Sequence, residues 1–222
     1  MYASVKRFLD MLIALLALIV LSPVLLLLML CIRVDSPGPA LFRQKRVGRD
    51  GVPFTIYKLR TMRKDAPRSV ATSALADAKL HITRLGGFLR RSSLDELPQF
   101  INILRGDMSL VGPRPLVPEE GSVHEERLRL GAYAVRPGVT GWAQINGRDT
   151  VNAGKKAEMD AYYAQNMRFT LDVRIFFTTV ACVLTARGIR EGAVDEAAPE
   201  AAIIEEIMTL EGAAVAEEEY HA

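Results

Sequence analysis

Met11-Leu-Ile-Ala-Leu-Leu-Ala-Leu-Ile-Val-Leu-Ser-Pro-Val-Leu-Leu-Leu-Leu-Met-Leu-Cys-Ile32 is a run of 22 residues without a single charge. As a helix rising 1.5 Å per residue it extends roughly 33 Å, about the thickness of a bilayer core. It exceeds the apolar stretch of a signal peptide and no small-x-small cleavage site follows it, so it reads as an anchor. Ser22-Pro23 lies at its middle, where proline deletes a backbone donor and the serine hydroxyl can satisfy the carbonyl thereby freed. Lys6 and Arg7 precede the run, while Arg33, Arg43, Lys45, Arg46 and Arg49 follow it. Positive charge prefers the cytosolic side, and a spanning helix would violate that preference at one end. A re-entrant helix-break-helix over residues 1–34, with both ends on one face, resolves the conflict. A kinked spanning helix is the alternative.

The chain's 222 residues suffice for one sizeable domain, or one domain with appendages. Half of them are hydrophobic and the mean hydropathy is +0.13, which excludes wholesale disorder. Cys31 and Cys182 lie in apolar runs without Cys or His at ligand spacing, so neither a disulfide framework nor a structural zinc site is indicated. The net charge of +2 conceals an asymmetry. Arg33 to Arg114 holds 16 Lys/Arg against 7 Asp/Glu, whereas residues 191–222 form an Ala/Glu tail without Lys or Arg. A basic field of this kind suits lipid head groups, phosphate-bearing substrates or nucleic acid. Nucleic acid is disfavoured, because the 7% of aromatic residues are not interleaved with the basic ones as a stacking platform requires.

Asp35-Ser-Pro-Gly-Pro39 ends the apolar helix with a dense turn signal. Phe42–Val47 and Pro53–Met62 read as strands of a hairpin around Arg49-Asp50-Gly51. The period of two then puts Lys58 and Arg60 on one face, roughly 7 Å apart, a spacing fit for a diphosphate or for two solvated cations. Ile82, Leu85 and Leu89 mark a helix ending at Arg90-Arg91. Ser92 to Leu104 reads as a second helix, with Ser93 and Glu96 at capping-box spacing. An extended Ser109–Pro115 segment, a helix over 119–133, a Gly/Pro-rich loop with a short strand over 135–148, and helices over 155–166 and 171–186 complete an α/β (α+β) fold. It is mostly helical with a small β-hairpin and short strands. The domains expected are the anchor (1–34), a catalytic domain (35–190) and the acidic tail (191–222).

Asp95-Glu96 is the sharpest chemical feature. Acids in a first helical turn ordinarily complement the helix dipole, but the same place also accommodates a nucleophilic carboxylate, a divalent metal and a phosphate. Two adjacent carboxylates need compensating charge, and Lys58, Arg60, Arg90, Arg114 and a bound Mg²⁺ are the compensation available.

Ser92-Ser-Leu-Asp-Glu-Leu-Pro-Gln99, with Ile82-Thr-Arg-Leu-Gly-Gly-Phe-Leu-Arg-Arg91 before it and Met108-Ser-Leu-Val-Gly-Pro-Arg-Pro115 after it, resembles the bacterial sugar transferases, the monotopic phosphoglycosyl transferases. Lys6-Arg-Phe-Leu-Asp10, Phe42-Arg-Gln-Lys-Arg-Val-Gly48, Tyr57-Lys-Leu-Arg-Thr-Met62 and Arg136-Pro-Gly-Val-Thr-Gly-Trp-Ala-Gln-Ile-Asn-Gly-Arg148 extend the resemblance over about residues 5 to 190. It implies a Mg²⁺-dependent enzyme on the cytosolic face of the bacterial inner membrane, with interfacial amphipathic helices, moving a sugar 1-phosphate from a UDP-sugar to a polyprenyl (undecaprenyl) phosphate and releasing UMP. Asp95 would form a covalent phosphosugar intermediate, assisted by Glu96, and both would hold the metal. Lys58, Arg60, Arg90, Pro113, Arg114, Arg148 and Asp172 would bind substrate, with Ser22-Pro23 as the membrane break. Arg114 as a turn arginine paired with Asp107 is the plain alternative, and Trp142 is a candidate to stack on a base, although a lone tryptophan is more often a core or interface residue. Membrane phospholipid is an implied partner, nucleic acid is not, and a homodimer is allowed. Asn152-Ala-Gly154 replaces an aromatic residue frequent in the family, and the tail has no counterpart. Competing readings are a membrane-tethered nucleotide-sugar hydrolase and a non-catalytic protein that binds anionic lipid.

Overall fold

The computed structural model describes residues 2–66, 78–147 and 152–185. Arg148 and the acidic tail lie outside the described residues. A single helix, α1 (Tyr2–Asp35), contains the whole apolar run. It is followed by an antiparallel hairpin of β1 (Leu41–Val47) and β2 (Pro53–Leu59), and by helices α2 (Ala78–His81), α3 (Arg84–Arg91) and α4 (Gln99–Arg105). Then come β3 (Ser109–Val111), α5 (Gly121–Leu130), β4 (Gly138–Thr140), α6 (Trp142–Ile145), α7 (Ala153–Gln165) and α8 (Phe169–Thr185). The architecture is mostly helical with two small sheets.

At Pro23 the structure departs from the expected helix-break-helix, because α1 continues through the proline. The Ser22 hydroxyl donates to Ile19 O at 2.8 Å. Ile19 is the residue whose carbonyl loses its partner when position 23 is proline, so the serine repairs the gap and the helix persists.

Along α1 only Lys6, Asp10, Ala14 and Ile32 are buried. The first three recur every four residues and form one stripe. Ala14 packs with Phe54, Ile56, Ile103 and Met108, whereas Ile32 packs with Ala40, Leu59 and Leu89. Both ends of the helix therefore sit on the same unit. Between them Ile19, Val20, Leu26, Leu27 and Leu30 are exposed, an apolar surface too large for a protein bathed in water on all sides.

The hairpin is bound to α4 by one buried side chain. Asn102 accepts from Tyr57 N at 3.0 Å and donates to Thr55 O at 2.7 Å, satisfying the edge of β2 as a neighbouring strand would. The second sheet is parallel, with Ser109 opposite Gly138 and Val111 opposite Thr140, so a long crossover containing α5 joins its strands. That pairing demands glycine: a Cβ on Gly138 would lie 2.1 Å from Gly112 N. Behind it, Val111, Trp142, Tyr163, Leu171 and Ile175 form a further core. Trp142 is thus a core residue, packed on Tyr162 with ring centroids 5.5 Å apart, and its role as a base-stacking platform is corrected accordingly.

Candidate active site

Three segments distant in sequence meet beside the hairpin: the end of β2, the turn before α4, and the extended segment after β3. The turn departs from the expected capped helix. Pro98 has no N–H to bond back to Leu94, so the α-helical ladder cannot run through it. Leu94–Glu96 instead forms a single 3₁₀ turn, and α4 begins at Gln99. Ser93 occupies the left-handed region at φ 55° and its side chain caps nothing, so the capping box is not formed. Glu96 reaches forward to cations, not back to the serine.

Glu96 Oε1 receives Lys58 Nζ at 2.7 Å and the Arg114 guanidinium at 3.3 Å. Arg114 does not pair with Asp107, whose carboxylate meets Arg105 and Asn102. Asp95 is 9% exposed. Among the described residues no hydrogen-bond donor or salt-bridge partner reaches its carboxylate, and burial together with the neighbouring Glu96 pushes it up to about 6. Lys58, Arg90 and Arg114 act in the opposite direction. Burial pulls Lys58 down, against the attraction of Glu96. Arg90 is aimed by its Nε donating to Thr61 Oγ1 at 3.0 Å. That contact depends on Gly86, because a Cβ there would lie 1.9 Å from Thr61 O and hold α3 away.

Asp95, Glu96, Lys58, Arg90 and Arg114 are thereby gathered into one cluster, and Pro113 is buried beneath Arg114. Two expected members stand elsewhere. β2 ends at Leu59, so the alternation of faces stops there. Arg60 turns to the end of α1 and donates to Ser36 O and Pro37 O at 2.6 Å and to Ile32 O at 3.3 Å. It caps the helix and is not a partner of Lys58. Asp172 accepts from Tyr163 Oη at 2.7 Å and Tyr2 Oη at 2.5 Å, and pairs with Lys6 at 2.7 Å. It fastens α8 to α1.

The residues of the early Lys6-Arg-Phe-Leu-Asp10 motif dock the helix. Arg7 donates to Ile103 O at 2.7 Å at the end of α4, and Asp10 accepts from Ser109 Oγ at 2.6 Å. Sequence reasoning missed Arg46, Thr61 and Arg127, although Arg46 and Thr61 each lie inside one of the family-like motifs. Arg127 carried no local signal, since its partners lie 13 and 33 residues away.

Among the described residues no group of three or more His, Cys, Asp or Glu side chains is placed to hold a metal ion. Two adjacent carboxylates nevertheless suit Mg²⁺, which is commonly bound by one or two carboxylates, with waters and substrate phosphate oxygens completing its octahedron.

Residues 1–186 match the family model described as bacterial sugar transferase. EpsL of Bacillus subtilis, described as an uncharacterized sugar transferase, is 40% identical over 186 residues, covering 84% of this chain and 90% of the relative. The UDP-glucose:undecaprenyl-phosphate glucose-1-phosphate transferase of Caulobacter vibrioides is 44% identical over 189 residues, covering 81% of this chain and 70% of the relative. A UDP-N-acetylgalactosamine-undecaprenyl-phosphate N-acetylgalactosaminephosphotransferase of Aeromonas hydrophila is 40% identical over 194 residues, 85% of this chain but only 46% of the relative. By this extent and identity the chain belongs to the bacterial sugar transferase family.

Proposed function

We propose that this protein transfers a sugar 1-phosphate from a UDP-sugar to a polyprenyl phosphate of the undecaprenyl type, releasing UMP. The relatives' names supply the substrate classes. The observation that carries the mechanism is Asp95, a buried carboxylate that no described hydrogen-bond donor reaches, beside a knot of cations organised by Glu96.

In the first displacement an Asp95 oxygen attacks the sugar-linked phosphorus. The bond from that phosphorus to the bridging oxygen breaks, and UMP leaves with the electron pair. In the second, an oxygen of the polyprenyl phosphate attacks the same phosphorus. The Asp95–phosphorus bond breaks, the carboxylate is restored and the polyprenyl diphosphate sugar departs. Lys58, Arg90 and Arg114 stabilise charge on the non-bridging oxygens. Glu96 holds two of these cations and takes the proton from the lipid phosphate. Mg²⁺, which Asp95 and Glu96 would hold, supplies further neutralisation of the diphosphate.

The enzyme acts as a monotopic protein on the cytosolic face of the bacterial inner membrane, with α1 bending at Ser22-Pro23 while its ladder stays joined, so that it enters the bilayer and returns. Support comes from its two docked ends: Arg7 binds α4 carbonyls and Arg60 binds Ile32 O on the same unit. A spanning helix puts its ends on opposite faces of the bilayer, where one domain cannot hold both. The exposed Phe169, Phe176 and Phe177 of α8 are suited to the same lipid surface.

Full-length protein with Mg²⁺ and each of a panel of UDP-sugars, without lipid acceptor, is expected to gain a sugar-phosphate adduct by intact-mass spectrometry. Adding undecaprenyl phosphate should discharge it into lipid. An adduct that persists in Asp95→Asn rejects the nucleophile, and release of free sugar phosphate with the lipid unchanged identifies a hydrolase instead. For topology, a cysteine introduced at Val34 is expected to react only from the cytosolic side, and periplasmic labelling rejects the monotopic reading.

A further inference from the structure

Arg114 is carried by an extended strap whose four successive carbonyls are each bonded to a different donor. Gly138 N donates to Pro113 O at 2.9 Å, Arg127 Nη1 to Arg114 O at 2.9 Å, Arg46 Nη1 to Pro115 O at 3.1 Å and Val47 N to Leu116 O at 3.0 Å. Pro113 and Pro115 fix their own φ angles on either side of the arginine. Two of the four donors are arginine side chains from remote elements, Arg46 on β1 and Arg127 on α5.

Arg127 is 3% exposed. One arm of its fork reaches Asp160 of α7, the other reaches Arg114 O, and its guanidinium lies 5.9 Å from the centroid of the Tyr133 ring. Burying an ion pair adds little net stability compared with an apolar pair of the same volume. What an apolar pair cannot do is hold a backbone carbonyl at a set point. A planar guanidinium, fixed by a carboxylate on one edge, presents its remaining N–H groups in a rigid direction. Arg46 repeats the device from the other side, with its second arm on Gln44 Oε1 at 2.6 Å. Its charge also lies close enough to Arg114 for mutual repulsion, which disfavours Arg114 folding back toward β1 and away from Glu96.

We propose that Arg127, oriented by Asp160, and Arg46 are positioning residues that fix the strap so that the Arg114 guanidinium meets Glu96 Oε1. This rests on the reading of Asp95, Glu96 and Arg114 as the transfer site. Neither arginine touches the reacting atoms. Both act through the place of a third.

The test is a double-mutant cycle on the full chain in lipid nanodiscs, with undecaprenyl phosphate as acceptor and the UDP-sugar that turns over in the panel as donor. Arg127→Lys keeps a charge opposite Asp160 but loses the second arm. It is expected to lower kcat/KM by about tenfold to hundredfold, the scale of an ångström-level misplacement. Arg46→Lys, on a half-exposed strand where folding is less at risk, is expected to lower it by about threefold to tenfold. In an Arg114→Ala background each lysine variant is expected to change kcat/KM by less than about twofold, since a residue acting through Arg114 has nothing left to place. The same loss with and without Arg114 overturns the proposal, as does full activity of both lysine variants while Arg114→Ala is impaired. Full activity of Arg114→Ala or Asp95→Asn overturns the site reading itself, and the proposal with it.

Discussion

The protein sets two pairs of carboxylates beside a lysine, and it treats them differently. Asp10 and Asp172 surround Lys6, and their oxygens are met by Ser109, Leu110 N, Tyr2 and Tyr163. Asp95 and Glu96 adjoin Lys58, yet only Glu96 is engaged by it, while no described donor reaches Asp95. A buried acid with all its partners is a clasp, since its lone pairs are committed and moving it costs every bond at once. A buried acid left without donors keeps its lone pairs available, at a cost to the fold that a reaction can use. The first set joins α1 to α8 and β3. The second faces the cations where a diphosphate can lie.

The largest expected effect tests that division at Asp95. Asp95→Asn is expected to reduce turnover by at least about 10³-fold, because the amide cannot act as the nucleophile. Its fold is expected to gain stability. With the native carboxyl pushed up to about 6 from the ordinary 3.8, folding favours the protonated form. The carboxylate therefore weakens the fold above about pH 6, and that weakening fades as pH falls from 6 toward 4. Thermal unfolding should show Asp95→Asn more stable than wild type by about 2–3 kcal/mol at neutral pH, and nearly equal to it at about pH 4. An asparagine variant less stable at neutral pH would mean that Asp95 is a clasp after all.

Asp172→Ala probes the other side. It strips Lys6 of its nearest carboxylate partner and Tyr2 of its acceptor, and leaves Tyr163 only Val111 O among the described residues. Removing one member of a buried pair costs about 3–5 kcal/mol, so Tm should fall sharply while KM for the UDP-sugar in the folded fraction stays within about twofold. Lys6→Met added to Asp172→Ala should not recover the loss, because Lys6 still pairs with Asp10 at 3.6 Å and its removal leaves that buried carboxylate without its cation. A raised KM at unchanged Tm would return Asp172 to the substrate site that the family resemblance implies.

The two regions were not equally legible in the sequence. Asp95-Glu96, the apolar run and Ser22-Pro23 are local signals, readable because adjacent residues and a 22-residue length carry their meaning without knowledge of the fold. The clasp was invisible, because Tyr2, Lys6, Asp10, Ser109, Tyr163 and Asp172 meet only through tertiary packing across up to 170 residues. The capping-box reading at Ser93 failed because Pro98, five residues on, decides how the backbone before it can bond. The pairing of Lys58 with Arg60 failed for a related reason: the period of two holds only while the strand lasts, and β2 ends between them.

The pH dependence of catalysis sharpens the comparison at smaller amplitude. Protonated Asp95 cannot attack phosphorus, so kcat/KM should fall about tenfold for each pH unit below about 6. A profile flat to about pH 4.5 would mean that a different group, or a carboxylate stabilised as the clasp acids are, limits the reaction.

The smallest expected effect on chemistry, and the one that best separates the two cation roles, is at Arg60. Lys58 and Arg60 are two residues apart on one stretch of chain, yet Lys58 holds the Glu96 carboxylate while Arg60 holds three carbonyls around the end of α1. Ile32 O already accepts from Ser36 N at 3.1 Å, while Ser36 O and Pro37 O lie just past the helix end, and a guanidinium bonds all three at once. Arg60→Gln retains one short donor group in place of the fork. It is expected to lower thermal stability by about 1–3 kcal/mol, the range for hydrogen bonds to a charged group, and to loosen Val34 and its neighbours in hydrogen exchange. Its kcat/KM should stay within about threefold of wild type. Lys58→Gln should do the reverse, leaving exchange at Val34 unchanged while turnover drops by well over tenfold, because Glu96 loses the nearer of the two cations that meet it among the described residues. If Arg60→Gln instead matched Lys58→Gln in turnover at unchanged stability, the end of α1 would belong to the chemistry, and the division between clasp and reacting carboxylates would no longer follow the boundary at Leu59.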